Sequence, residues 1–92
     1  MVDAVVSPEV VARYAADAAR EVEGVAGVVE GVRKGIRVEG EEIELHLSVR
    51  FGASIPEVGA AVQRQVADYL EQMTDTRPAA VNVVVEAVDV AT

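Results

Sequence analysis

Glu42-Ile43-Glu44-Leu45-His46-Leu47-Ser48-Val49-Arg50-Phe51 alternates polar and apolar side chains without a break. In an extended chain successive side chains point to opposite sides, so this stretch predicts a strand with two unlike faces. Ile43, Leu45, Leu47, Val49 and Phe51 point one way, toward a core. Glu42, Glu44, His46, Ser48 and Arg50 point the other, toward water or a partner.

Upstream of this strand, Gly40-Glu41 is a turn, Ile36 to Glu39 a short strand, and Arg33-Lys34-Gly35 a second turn. Val25 to Val32 is β-branched but rich in glycine, which predicts a strand with a bulge. Ahead of it lies a helix signal: Ser7 as cap, Pro8 at the first helical position, and Glu9 at the positive end of the macrodipole. Val6 and Val11 are spaced as a hydrophobic staple. Val11, Tyr14, Ala15, Ala18 and Val22 repeat at helical spacing, Arg13 and Asp17 form an i,i+4 pair, and Gly24 is expected to end the helix.

Downstream, Ser54-Ile55-Pro56-Glu57 fits a capping box. Val58, Val62, Val66, Tyr69, Leu70 and Met73 make the apolar stripe of a second helix, which Pro78 bars from continuing. Val81 to Val88 is apolar on both faces, the pattern of a central strand. With only two helices, however, one face of the sheet is left short of cover. Val84 and Val88 would then form an exposed apolar strip of the kind that marks interfaces.

The order αβββαβ predicts an α/β (α+β) domain: a mixed sheet of three to four strands, both helices on one face, and a right-handed parallel crossover through the second helix. At 92 residues the chain is expected to be one domain, with 1–6 a short N-terminal segment and 7–90 the α/β core.

Composition narrows the function. The net charge of −8 repels phosphate backbones and anionic lipid, which argues against nucleic acid and against direct membrane adhesion. There is no cysteine, so disulfides, thiol chemistry and Cys-based zinc sites are excluded. The first residues lack a basic n-region, and no apolar run is long enough to span a bilayer. A cytoplasmic location without membrane insertion is expected.

The candidate chemistry is thin. His46 is the sole histidine and shares a strand face with Glu42 and Glu44, a set that can ligate a metal. A solvated strand face explains the same residues more simply, and no metal or other cofactor is assigned. Ser7 and Ser54 serve as helix caps, and Ser48 lacks a third partner beside His46, so no nucleophile-and-base arrangement arises. Gly24-Val25-Ala26-Gly27 has the spacing of an RNA-binding GxxG loop, but Glu21, Glu23 and Glu30 surround it with the wrong charge. No catalytic residue is assigned, and the expectation is a protein that is not an enzyme.

Six motifs in order add a family reading. They are Val6-Ser7 opening the first helix, Glu23-Gly24-Val25, Gly35-Ile36-Arg37-Val38, Phe51-Gly52 closing the long strand, Ile55-Pro56-Glu57-Val58 leading into Val62-Gln63-Arg64-Gln65-Val66, and Val81-Asn82-Val83-Val84-Val85. Together they resemble the alkaline shock protein family of Gram-positive bacteria, also called the envelope stress response or general stress protein family, across about residues 6 to 90. The resemblance implies a compact α/β domain without enzymatic activity. It also implies self-assembling members held at the membrane by a separate membrane-embedded partner, and others linked to envelope stress or fatty-acid metabolism. Longer relatives carry charged tails that these residues scarcely provide, so binding through such tails is not expected here.

The leading expectation is a self-associating cytoplasmic scaffold or adaptor, recruited near the membrane by another protein. Its interface would comprise Glu44, His46 and Arg50 on the long strand with Val84, Glu86 and Val88 on the last. A register slip of one residue would exchange Val83 and Val85 into that surface. The alternatives are a regulatory binding module for a soluble metabolic enzyme, such as one of fatty-acid synthesis, and a small-ligand sensor.

Overall fold

The computed structural model describes residues 7–29 and 36–90. Its elements are α1 (Pro8–Arg20), β1 (Val25–Val28), β2 (Ile36–Glu39), β3 (Glu42–Arg50), α2 (Ile55–Thr74) and β4 (Ala80–Asp89). The order αβββαβ is as expected, and the predicted Val6 staple, the Arg33–Gly35 turn and the end of the Val25–Val32 stretch lie outside the described residues.

β3 organises the sheet. β4 runs parallel along one of its edges from Glu42↔Ala80 to Arg50↔Asp89. A strand has two edges, so β1 and β2, both antiparallel to β3, share the other. They lie end to end: Val28 pairs with Leu47 and Ile36 with Leu45. The sheet is therefore three strands wide, with β3 in the middle. The bulge expected from the glycines is present, as a register shift between Val25 and Gly27.

The predicted alternation holds through β3, where Ile43, Leu45, Leu47 and Val49 are buried against the helices. Val25 of β1, Ala15, Ala18 and Ala19 of α1, and Val58, Val62, Val66 and Leu70 of α2 complete this core. Tyr14 and Tyr69 meet edge-to-face, ring centroids 5.8 Å apart, where the helices cross. Both helices pack on this one face.

Both caps form. Ser7 Oγ accepts from the Val10 amide, and Ser54 Oγ from the Glu57 amide. Asp75, at a left-handed φ of 63°, closes α2. Gly24 makes the turn from α1 into β1 at φ +97°, where a Cβ would stand 2.7 Å from Val58 Cγ2. Only glycine lets the start of α2 approach this closely.

Several expectations are corrected. α1 ends at Arg20, short of Gly24. Asp17 pairs with Arg20 at 3.4 Å, because three-residue spacing also brings side chains together on a helix. Met73 is exposed, past the end of the core. Phe51 is 74% exposed, for β3 stops at Arg50 and Gly52, at φ +94°, turns the chain away before the helix layer reaches it. The largest correction concerns β4, which pairs only with β3 among the described residues and is an edge strand. Its doubly apolar pattern does not come from a central position.

Candidate interaction surface

The face of the sheet opposite the helices carries the even-numbered residues of β3. Register places their neighbours beside them in rows. Arg37, Glu44 and Asn82 form one row, and Val29, His46 and Val84 the next, with the Val29 amide donating to the His46 carbonyl at 2.8 Å. Gly27, Ser48 and Ala87 form a third, where three small residues leave the surface low. No helix among the described residues lies over these rows, and Val84 is 37% exposed.

His46 stands at the centre. Its Nε2 lies 2.7 Å from Glu44 Oε2, and its Nδ1 lies 2.7 Å from Glu86 Oε1. A carboxylate only accepts, so a ring that meets carboxylates at both nitrogens donates from both and is an imidazolium. The hydrogen bond to Glu44, followed by that to Glu86, raises the His46 pKa above its usual 6.5 despite partial desolvation. The hydrogen bond from His46 draws the Glu44 pKa below its usual 4.5, with smaller help from the charges of His46 and Arg37 and against desolvation. The three side chains remain partly exposed, so water screens the pairs and their role is to order the surface.

This arrangement disfavours the metal reading. Both ring nitrogens point at different carboxylates on opposite sides of the imidazole. Among the described residues no three His, Cys, Asp or Glu side chains are grouped to hold one ion. Glu42 instead pairs in register with Glu39 at the far end of the strand. Nor do the described residues include a buried polar or charged side chain from which an internal ligand site would be built. A shallow cleft of about 250 Å³ at the far end of the core is lined mainly by Val11, Val38, Ile43, Leu70 and Pro78.

The six expected interface residues do not all share the surface. Glu44, His46, Val84 and Glu86 come together, tied by the two hydrogen bonds above. Arg50 sits at the end of the same strand face, in register with Asp89. Val88 does not join them. Between Leu47↔Val85 and Ser48↔Ala87 the register shifts by one residue of β4, so Glu86 bulges and Val88 falls beside core-facing Val49. On the edge strand it is nevertheless 46% exposed. Before the bulge Val81, Val83 and Val85 face the helices, so the slip that would have exchanged Val83 and Val85 outward is not adopted. The bulge carried no sequence signal, since no glycine marks it. Sequence reading also missed an apolar end of the sheet, where Phe51 and Val90 adjoin Arg50 and Asp89 around a shallow depression.

Comparison with known proteins agrees with the fold and with the family resemblance. The profile of the alkaline shock protein 23 family, described as having a cell envelope-related function, matches residues 2–90. The chain belongs to this family. The chain is also similar to YqhY of Bacillus subtilis strain 168, an uncharacterized protein 37% identical over 86 aligned residues. That match covers 75% of the present chain and 64% of YqhY, so the chain spans less than two thirds of its curated relative. Among solved structures, a His-to-Ala variant of the MamM CTD superposes with a TM-score of 0.64 at 27% identity, covering 88% of this chain and 98% of that one. An Asp-to-Glu variant of the same domain in its cadmium form gives 0.63 at 28% identity, covering 88% and 98%. The alkaline shock family, and with it the fold, is what these comparisons assign to the chain. No helix among its described residues is long and apolar enough to cross a membrane.

Proposed function

We propose that this protein is a non-catalytic scaffold or adaptor of the cell envelope stress response, working in the cytoplasm by binding copies of itself and a membrane-embedded anchor protein. The observation that carries this reading is the sheet face that no described helix covers, where exposed Val84 stands beside the ordered Glu44–His46–Glu86 set. An exposed apolar side chain beside an ordered polar set is a usual composition of a protein-binding patch. The acidic charge favours protein partners over nucleic acid or bare lipid.

Light scattering on the purified chain tests the reading. The native protein should form species larger than the monomer, and Val84→Asp should reduce them while leaving the circular dichroism spectrum unchanged. If Val84→Asp folds and assembles like the native chain, the surface around Val84 is not the contact.

A further inference from the structure

The outer edge of β4, unpaired among the described residues, bears on how copies would meet. The amide of Val29 donates to the His46 carbonyl and the amide of Arg50 donates to the Gly24 carbonyl, so even-numbered β3 residues turn their backbone groups toward β1. The odd-numbered ones face β4, as the bond from the Phe51 amide to the Asp89 carbonyl shows. In a parallel pair the matching β4 residues before the bulge are the even ones, which leaves the N–H and C=O of Val81, Val83 and Val85 pointing off the sheet. At Val81 the outward carbonyl is closed by Gln63 Nε2 of α2, at 3.0 Å. At the other end the Glu86 bulge interrupts the edge. Between these stops, Val83 and Val85 present open backbone groups with no partner among the described residues. Their stretch, Asn82 to Glu86, contains no proline or lysine of the kind that usually blunts an edge.

We propose that this edge is the self-association contact: β4 pairs antiparallel with β4 of a second copy about a two-fold axis at Val84. This rests on the self-associating scaffold reading above and says which surface the copies use. The register follows from the bounded edge, because Val84 is the midpoint of Asn82–Glu86 and only an axis there engages the whole open stretch. It sets Val83 opposite Val85 of the second copy as a hydrogen-bonded pair and stacks the two Val84 side chains. It also sets Asn82 opposite Glu86. The Glu86 oxygen not bound to His46 then receives the Asn82 amide, so donor meets acceptor on both sides of the axis. An axis at Val83 or Val85 would place Glu86 against Ala80 or Val84, and an axis at Glu86 would oppose two carboxylates. A different extended peptide on the same edge would not require the Val84–Val84 contact.

The test uses single cysteines in a chain that has none. Directly opposed, non-hydrogen-bonded antiparallel positions lie close enough for a disulfide. Under mild oxidation Val84→Cys alone should give a covalent dimer. Asn82→Cys and Glu86→Cys should give one only when the two proteins are mixed. Val83→Pro removes an outward N–H that β3 does not use, and proline is tolerated at such edge positions. It should weaken association about tenfold or more while the fold survives, whereas Ser48→Arg, on the open face, should not. Association lost in Ser48→Arg but kept in folded Val83→Pro, with no Val84→Cys dimer, would overturn the edge contact and leave self-association standing. A native chain that never associates, with no cross-link in any mixture, would overturn both.

Discussion

His46 and Glu86 meet across the β3–β4 pair, Nδ1 to Oε1 at 2.7 Å, where the bulge interrupts the regular ladder. The contact ties the irregular half of β4 to the central strand, and Glu44 holds the other ring nitrogen at the same distance.

Its pH dependence follows from the two shifts. The His46 pKa is raised above 6.5, so its stabilisation is complete below that value and is lost as pH climbs through the raised one. The Glu44 pKa is lowered below 4.5, so its share is complete above that value and is lost as pH falls through the lowered one. The tie is therefore strongest between pH 4.5 and 6.5. NMR titration of the single imidazole should show its pKa falling in Glu86→Gln and falling further in Glu44→Gln, because Glu44 is the larger cause. A His46 pKa unchanged in both variants would show that the tie does not form.

The α1–β1 turn separates two glycine effects. Gly24 and Gly52 both have positive φ, but only at Gly24 would a Cβ collide, with Val58. Gly52→Ala should cost about 1–2 kcal/mol for the backbone alone. Gly24→Ala should cost a further ~1–3 kcal/mol from overpacking. Urea denaturation of the two variants checks the order, and equal losses would mean that α2 yields to the added methyl.

Leu45 and Leu47 have no exposed surface. Truncating either to alanine should cost about 2–5 kcal/mol, a large part of the ~5–15 kcal/mol that holds a domain folded. Phe51→Ala, at the other extreme of exposure, should change stability by less than about 0.5 kcal/mol. Denaturant midpoints read both, and a comparable loss at Phe51 would place that ring in the core.

Charge should oppose assembly. Each chain carries a net −8, and bringing two together raises their mutual repulsion. Added monovalent salt screens charges beyond about 8–10 Å near physiological strength. The dissociation constant should therefore fall as salt rises, measured by light scattering, while a constant that rises with salt would point to ion pairs as the main contact.

The sequence was most legible where one period ran uninterrupted. The β3 alternation located the core face and the polar face, and the caps at Ser7 and Ser54 located the helix starts. Legibility failed where tertiary context overrode the local pattern. Val81 to Val88 looked central because both faces are apolar, yet hydrophobic pattern does not record how many neighbours a strand has. The Glu86 bulge displaced Val88 because a single extra residue reverses facing, and Glu86 itself is no bulge former by type. The Glu44–His46 half of the central set was visible at two-residue spacing. The Glu86 half depended on a parallel register joining residues forty positions apart, which no local signal encodes.

Sedimentation velocity of the unmodified chain over a wide concentration range decides whether the protein self-associates. The boundary should move from the 9.7 kDa monomer toward a dimer or larger species as concentration rises. A boundary that stays at the monomer throughout would rule out self-association of the chain.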